Sequence, residues 1–530
     1  MAFYIKFFFY LLIIFLFTNK VFSQDFLSKN KNLIEIYEKF FYDEKEFHTS
    51  IKSFFISENK NFQNFQKKMP FFQKNFFLNS NFFIKKKGNY KFSLFPIIEL
   101  FGSLKPKFIE EAPYLSMGLS ENFNSFKNPY EFSAGFSAKM NYNKKFFFYW
   151  NFAYSLKNFQ NYELLDSTKI VKNFGKSIYQ NESFYRFLKS DFLFVYSLNK
   201  YFSFHLGKDK HFFGDGFRSL FLSRNSNSFP FYKISTKIGK FHYINLMGFL
   251  QDFDFVEMKN NFSKKYINLH FLSFNLNKKF NINIFEAIIW AEKDSIKNRD
   301  FEVNYLNPII FYRPLENSVG SPDNVILGAG FKFEIIKNYY LYGQTILDEF
   351  LLSEIKNRNG WKHNKFGFQI GIKIFDFLSI KNLKIQSEYN YVRPFTYSHS
   401  SILNNYGSYY QALAHPLGAN FREGILNIFY RKNRFFIKNL SIISVQGMNK
   451  NNENYGQNIY LSYLSALNDY GNKTTQGEKN YIFYNENRLS YLINPNWNLY
   501  FEISYIFMVQ KYIEKNISNS FMIGLKTYIF

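Results

Sequence analysis

A chain of 530 residues with 66 Lys and Arg against 41 Asp and Glu, a formal charge of +25, and no cysteine excludes a disulfide scaffold, a cysteine-based metal centre and a lipid-modified cysteine anchor. Aromatic residues make up 23% of the chain, with 75 Phe and 41 Tyr, more than one soluble core can take up. Such basicity would ordinarily point to nucleic acid. The lean towards Phe, Tyr, Asn, Lys and Ile together, all served by AT-rich codons, marks it instead as compositional drift, and no nucleic-acid partner is expected.

Lys6 precedes an apolar run from Phe7 to Phe17, followed by Val21, Phe22 and Ser23 and then the polar Gln24 and Asp25. This pattern predicts a secretory signal peptide over 1–23, cleaved after Ser23. No later segment supplies the roughly 20 uninterrupted apolar residues of a spanning helix; the nearest, Ile282 to Ala291, is cut by Glu286. Beyond Gln24, Leu33, Ile34, Ile36, Tyr37, Phe40 and Phe41 recur at helical spacing with Glu35, Glu38 and Lys39 between them. The spacing predicts a short amphipathic helix in a periplasmic segment or plug over 24–88.

Strands begin near Tyr90, where YKFSLFPIIELF alternates up to Gly102. From there, short turns flanked by alternating strands fall around Asn143, Asn199, Gly239, Asn277, Asn338, Asn382, Asn433 and Asn494. Most are built on Asn, which tolerates the positive φ of tight turns. Longer polar connections lie between them, near 102–130, 157–186, 208–229, 251–264, 291–323, 348–364, 394–420, 447–479 and 510–516, and 458–466 is a further stretch able to pair. Nine loops alternating with eight turns connect about 18 strands, an even number as bacterial single-chain barrels have. The predicted fold is all-β, a transmembrane antiparallel up-and-down β-barrel over 89–530 with a short helical N-terminal segment. Its outward face and interfacial girdles absorb the aromatic excess. The last strand, SFMIGLKTYIF, ends on Phe530, an aromatic residue of the kind outer-membrane assembly machinery reads. That machinery and outer-membrane lipid are expected partners.

One loop stands out. Between the strands of Phe204 to Gln251, His211, Asp215, Arg218 and Arg224 sit in a glycine-bearing connection where Gly214 and Gly216 allow a sharp bend. HLGKDKHFFGDGFRSLFLS from His205, NPIIFYRPLENSVGSPDN from Asn307, LYGQTILDEF from Leu341, and YVRPFTYSHSS with QALAHPLGANF between Tyr391 and Phe421 resemble the Wzi-type capsule assembly family in its Bacteroidetes form. That form is itself similar to a flavobacterial gliding-motility protein. The resemblance runs from about His48 to Asn427. It implies an 18-stranded outer-membrane barrel with a helical periplasmic segment, acting as a surface lectin that holds capsular polysaccharide. The sugar-contacting residues of the family's proteobacterial members do not align onto this chain.

All four blocks fall on the long-loop side. His211, Asp215, Arg218, Arg313, Glu316, Asp323, Asp348, Glu349, Arg393, His399 and His415 are therefore expected near the outer mouth as ligand-binding candidates. Forked Arg donors suit the carboxylates of an acidic surface polysaccharide. The alternative is that these charges pair with one another and fix inward-folded loops. Catalysis is not expected: His399 stands beside Ser398 and Ser400, but adjacency in sequence does not set the geometry of a nucleophile and its base. His399, His415 and Asp348 lack a metal-ligand spacing, and no cofactor is implied. The expected function is non-enzymatic retention of surface polysaccharide. A porin-like channel, distinguished by whether loops 208–229 and 394–420 close the lumen, and a gliding-motility or adhesion component are the rivals.

Overall fold

Along Phe421–Lys432, Phe421, Glu423, Ile425, Asn427 and Phe429 are buried on one face while Leu426 on the other is 38% exposed. Side chains alternate between the faces of a strand, so this period fixes which residues enter a closed sheet and which face its surroundings. The computed structural model describes residues 31–44, 47–52, 83–103, 130–157 save 144, short pieces between 170 and 181, 184–253, 262–292, 302–307 and 323–527 save 452. The signal peptide expected over 1–23 lies outside the described residues.

The strands are β1 (Tyr90–Ser103), β2 (Tyr130–Tyr142), β3 (Phe146–Lys157), β4 (Phe184–Ser197), β5 (Phe202–Asp209) and β6 (Phe229–Ile238). Next come β7 (Phe241–Phe253), β8 (Phe262–Asn275), β9 (Phe280–Ala291), β10 (Asn324–Ile336), β11 (Tyr339–Leu347) and β12 (Phe366–Phe375). The last are β13 (Leu383–Val392), β14 (Phe421–Lys432), β15 (Phe435–Met448), β16 (Glu478–Asn494), β17 (Leu499–Lys511) and β18 (Lys515–Thr527). Each pairs antiparallel with its neighbours in sequence, and Glu99–Ser103 of β1 pairs with Met522–Lys526 of β18, so the 18-strand sheet closes into a barrel. Strand count and topology agree with the expectation from turns and loops.

The closing seam has a second piece. A short strand, Phe83–Lys87, pairs with Tyr90–Leu94 of β1 through a turn at Gly88, where φ is +56°. The sheet thus reaches back into the segment assigned above to the N-terminal region. The 458–466 stretch adds no strand to the wall: it holds a 3-10 turn at Tyr463–Ser465, and Ala466 bridges Asn454 within the same loop.

All eight expected turns gather at one end; Gly239 makes one, at φ of 56°, and Asn makes the other seven in two ways. Asn143, Asn338, Asn382 and Asn433 take φ of 52°, 72°, 64° and 55°. Asn199, Asn277 and Asn494 work through the side chain instead, each Oδ1 accepting from the N–H groups two and three residues on.

Helix α1 (Lys31–Asp43) enters the lumen from the turn end. Its Glu35, Glu38 and Tyr42 recur on one face, which the sequence marks as polar. That face is buried on lysines of the wall: Lys373 and Lys384 donate to Glu38 at 2.6 and 2.9 Å, and Lys438 donates to Glu35 at 3.0 Å. Lys39 pairs with Asp376 in the turn after β12. Residues 48–52 continue upward, where Ile51 bridges Phe213 and Ser50 O accepts from Gly214 N at 2.7 Å.

From the loop end, 210–228 and 393–420 fold down into the lumen. Leu220, Phe221, Leu222, Leu413, Ala414 and Tyr397 form one apolar core with inward residues of the wall such as Ile267, Phe271, Phe285 and Ile346. Irregular backbone buried in this way needs partners for its polar groups. Wall side chains supply them: Gln344 Oε1 accepts from Leu220 N at 2.9 Å, and Glu388 accepts from Phe217 N and Arg218 N at 2.6 and 3.0 Å.

Candidate functional site

The bend foreseen at Gly214 and Gly216 exists because backbone and wall come too close for a side chain. Gly214 has φ of +130°, and a Cβ there would strike the Gln344 amide. At Gly216 a Cβ would lie 2.6 Å from Gln369 Oε1 and 2.7 Å from Glu388 Oε2. The bend sends Asp215 and Arg218 in different directions. Asp215 accepts from Tyr42 Oη at 2.8 Å, at the junction with the N-terminal segment. Burial alone would raise its carboxyl, but Lys332, Lys52 and Lys373 outweigh that and hold it below the ordinary range.

Arg218 turns to Glu423, with Nη2 to Oε1 at 3.3 Å and Nε to Oε2 at 3.4 Å. His415 shares that carboxylate, its Nε2 lying 2.7 Å from Oε2, and stacks on Phe421. The charge of Arg218 is therefore offset by a strand residue that the loop motif did not reveal. Arg393 stands elsewhere, donating to the carbonyls of Trp361 and Asn472 and lying over the Phe366 ring. His211 packs edge-on to Phe231, with ring centroids 4.3 Å apart.

A second group fixes the next loop. Lys365, fully buried, reaches Asp348 and Glu349 at 3.2 Å each and donates to Ser398 O at 2.9 Å, while His363 Nδ1 is 2.9 Å from Glu349. His399 accepts from Ser401 N through Nδ1 at 3.2 Å, and burial together with Lys365 pushes its pKa down to about 4. Ser398 Oγ donates to Phe395 O at 2.6 Å, while Ser400 Oγ lies 3.4 Å from His399 Nδ1.

Asp323 stands at the loop end just before β10, within electrostatic reach of His399, but its carboxylate is taken up on the outer side of the wall. It accepts from the hydroxyl of Tyr305, and Tyr305 packs among Met247, Tyr266, Ile288, Trp290 and Val325, all of which alternate out of phase with the lumen core. Segment 302–307 thus lies as a strap on the barrel's outer wall. Beneath it, Asn268 Nδ2 donates to Tyr305 O, and His270 Nε2 lies 3.0 Å from Asn307 O with Glu286 on its other nitrogen at 3.6 Å. The eleven candidates accordingly do not share one set of partners: Arg313 and Glu316 lie outside the described residues, Arg218 and His415 meet at Glu423, Asp348 and Glu349 gather around Lys365 with His399 beside them, and Asp215, His211, Arg393 and Asp323 each make other contacts.

Sequence reasoning missed the wall partners: Glu388, Glu423, Lys365, Lys373, Lys384 and Lys438. All but Lys365, which directly precedes β12, are charged residues at the inward position of an alternating strand, and that parity was the available signal. It also missed a groove of about 470 Å³ at the loop-end rim, lined by Lys208, Phe249, Gln251, Lys264, Tyr266 and Tyr409. Tyr409 drapes over the rim from loop 393–420, its hydroxyl donating to Gln251 Oε1 at 2.9 Å.

Fold and site together define a class: a closed 18-stranded antiparallel barrel with exposed apolar side chains on its outward face and loops packed into its lumen. No protein-family model and no curated protein matches the chain. Among solved structures it is similar to Escherichia coli Wzi, described as an outer membrane protein involved in group 1 capsule assembly and a carbohydrate-binding β-barrel, at 10% identity over 81% of this chain and 83% of that one, with a TM-score of 0.48. It is also similar to Acinetobacter baumannii OccAB4, at 8% identity over 83% and 98% with a TM-score of 0.43. Pseudomonas aeruginosa OpdK with vanillate is similar at 7% over 83% and 98% with a TM-score of 0.44. With each TM-score below 0.5, none of these likenesses bears on what this chain binds, and the fold rests on its own strand registers.

Proposed function

We propose that the protein is an outer-membrane barrel that holds surface polysaccharide at its loop end without catalysing a reaction on it. Location in a membrane is supported by outward residues such as Leu100, Leu206, Ile437 and Ile443, which are 50 to 61% exposed around the ring; a belt of this kind is stable only against lipid. A passive channel is disfavoured by the apolar core that loops 210–228 and 393–420 build inside the lumen. The observation that carries the binding reading is the rim groove, where Phe249 and Tyr409 offer rings for sugar faces beside the ammonium group of Lys208, with Lys264 next to it paired to Glu292 at 2.9 Å. The resemblance of the loop blocks to Wzi-type capsule assembly proteins points the same way.

The test is a glycan array with the refolded barrel. Acidic polysaccharides are expected to bind, more weakly as salt rises, and Tyr409→Ala or Lys208→Gln should reduce the signal. Planar-bilayer recordings are expected to show little steady current. Large stable openings without glycan binding would overturn the proposal in favour of a channel.

A further inference from the structure

Where loop 210–228 meets residues 48–52, the packed lumen leaves a cavity of about 240 Å³ whose walls include Glu35, Glu38, Lys52, Arg218 and Arg224. Its carboxylates are already committed. Glu38 accepts from Lys373 and Lys384 at 2.6 and 2.9 Å. Glu35 accepts from Asn427 Nδ2 at 2.9 Å, from Lys438 at 3.0 Å and from Lys384 at 3.3 Å. Arg218 is matched by Glu423.

Of two cations on the same walls, one has unsatisfied donors and the other is only loosely paired. The Nε and Nη2 of Arg224 are withdrawn from solvent and hydrogen-bond to nothing among the described residues. The guanidinium rests over the Phe212 ring, 5.8 Å from its centroid, and Asp209, the carboxylate acting on it most, takes the hydroxyl of Tyr149. Lys52 Nζ stands 3.7 Å from Glu38, beyond hydrogen-bond range, since that carboxylate already holds two other lysines. Burial and Lys373 push Lys52 down to about 8, against the attraction of Glu38 and Asp215, and Arg224 adds to the repulsion. Withdrawn cations of this kind are stable when an anion completes them.

We propose that the cavity is an oxyanion site, in which Arg224 and Lys52 together hold a small anion carrying at least two oxygens and so clamp loop 210–228 to the N-terminal segment. A guanidinium presents two parallel N–H groups to such an anion, which a lysine cannot do. Lys52 comes from the N-terminal segment and Arg224 from the loop, so one ligand ties the elements that enter the lumen from opposite ends. The site is independent of whatever the rim groove holds.

The experiment uses the full mature chain in neutral detergent, freed of phosphate and sulfate. Inorganic phosphate and glucuronate are titrated separately by calorimetry, with protease cleavage between 208 and 229 followed in parallel. One anion per barrel is expected to bind and slow that cleavage. Phosphate alone would assign the site to free inorganic anions, and glucuronate to the carboxylate of a sugar acid. Arg224→Gln and Lys52→Gln should each weaken binding at least tenfold while Lys208→Gln at the rim leaves it unchanged, with heat-modifiable migration reporting that each variant is folded. If Arg224→Gln fails to fold, Arg224→Lys keeps the charge without the fork and should still bind several-fold more weakly than the parent. Absence of saturable binding by either anion, or unchanged affinity in the folded Arg224 variant, would overturn the proposal.

Discussion

The hydroxyl of Tyr42, on the last turn of α1, donates to Asp215 Oδ1 at 2.8 Å, and Lys373 of β12 reaches both Tyr42 Oη at 3.0 Å and Asp215 O at 2.8 Å. A helix near the beginning of the chain and a loop some 170 residues later are thereby joined inside the barrel. Tyr42→Phe removes the donor from a buried carboxylate, which costs about 1–3 kcal/mol. Because the chain has no cysteine, Ser50→Cys gives a single reporter of the junction. Its maleimide labelling is expected to speed up by roughly tenfold or more in the Tyr42→Phe background, with the barrel still heat-modifiable. Equal labelling rates would mean that Tyr42 does not hold the junction.

Acid should loosen the same junction through His48. Its Nδ1 lies 2.8 Å from Ser273 Oγ, and burial, aided by Lys237 and Lys332, pushes its pKa down to about 3. A released segment would titrate near 6.5, so between pH 6.5 and 3 the released form binds the extra proton and docking weakens as pH falls. Labelling of Ser50→Cys, corrected for the pH dependence measured on a denatured control, is expected to rise over that window. His48→Gln, which has no proton to gain, should flatten the profile.

At Gly216 the wall leaves no room. Gly216→Ala forces apart the loop and the Glu388 carboxylate that accepts from Phe217 N and Arg218 N, and overpacking of this kind costs about 1–3 kcal/mol. Cleavage between 208 and 229 should quicken. Gly102→Ala, whose Cβ would meet nothing within 4 Å, serves as the control and should leave cleavage unchanged.

The outer strap rests on Tyr305, fully buried with its ring 4.9 Å from that of Trp290. Tyr305→Ala empties a large aromatic site, a loss of about 3–5 kcal/mol for rings of this size. Protease should then cut between 292 and 323 at lower concentration, while the heat-modifiable band persists because the wall registers are untouched. A strap as resistant as the parent's would show that Tyr305 does not anchor it.

Barrel and strand number were legible because both are written locally: a period of two along each strand, and Asn or Gly where the chain must reverse within a few residues. Helix α1 was legible from its spacing, but its environment was not. Glu35 and Glu38 look like a solvated face until Lys384 and Lys438, some 350 and 400 residues away in sequence, are brought under them. The loop residues Arg218, Asp348 and His415 stand out in the sequence as charges in long loops, whereas their partners Glu423 and Lys365 sit on strands or beside them and carry no motif.

By itself, then, the sequence determined the alternation, the turns and therefore the closed antiparallel barrel, since these depend on residues adjacent in the chain. What only the tertiary structure decided is which charges meet. Closing the sheet and folding loops into its lumen brings groups hundreds of residues apart into a space with little water, where each must find a partner. That choice depends on strand register and loop path, as the separation of Asp215 from Arg218 and the outward placing of Asp323 illustrate.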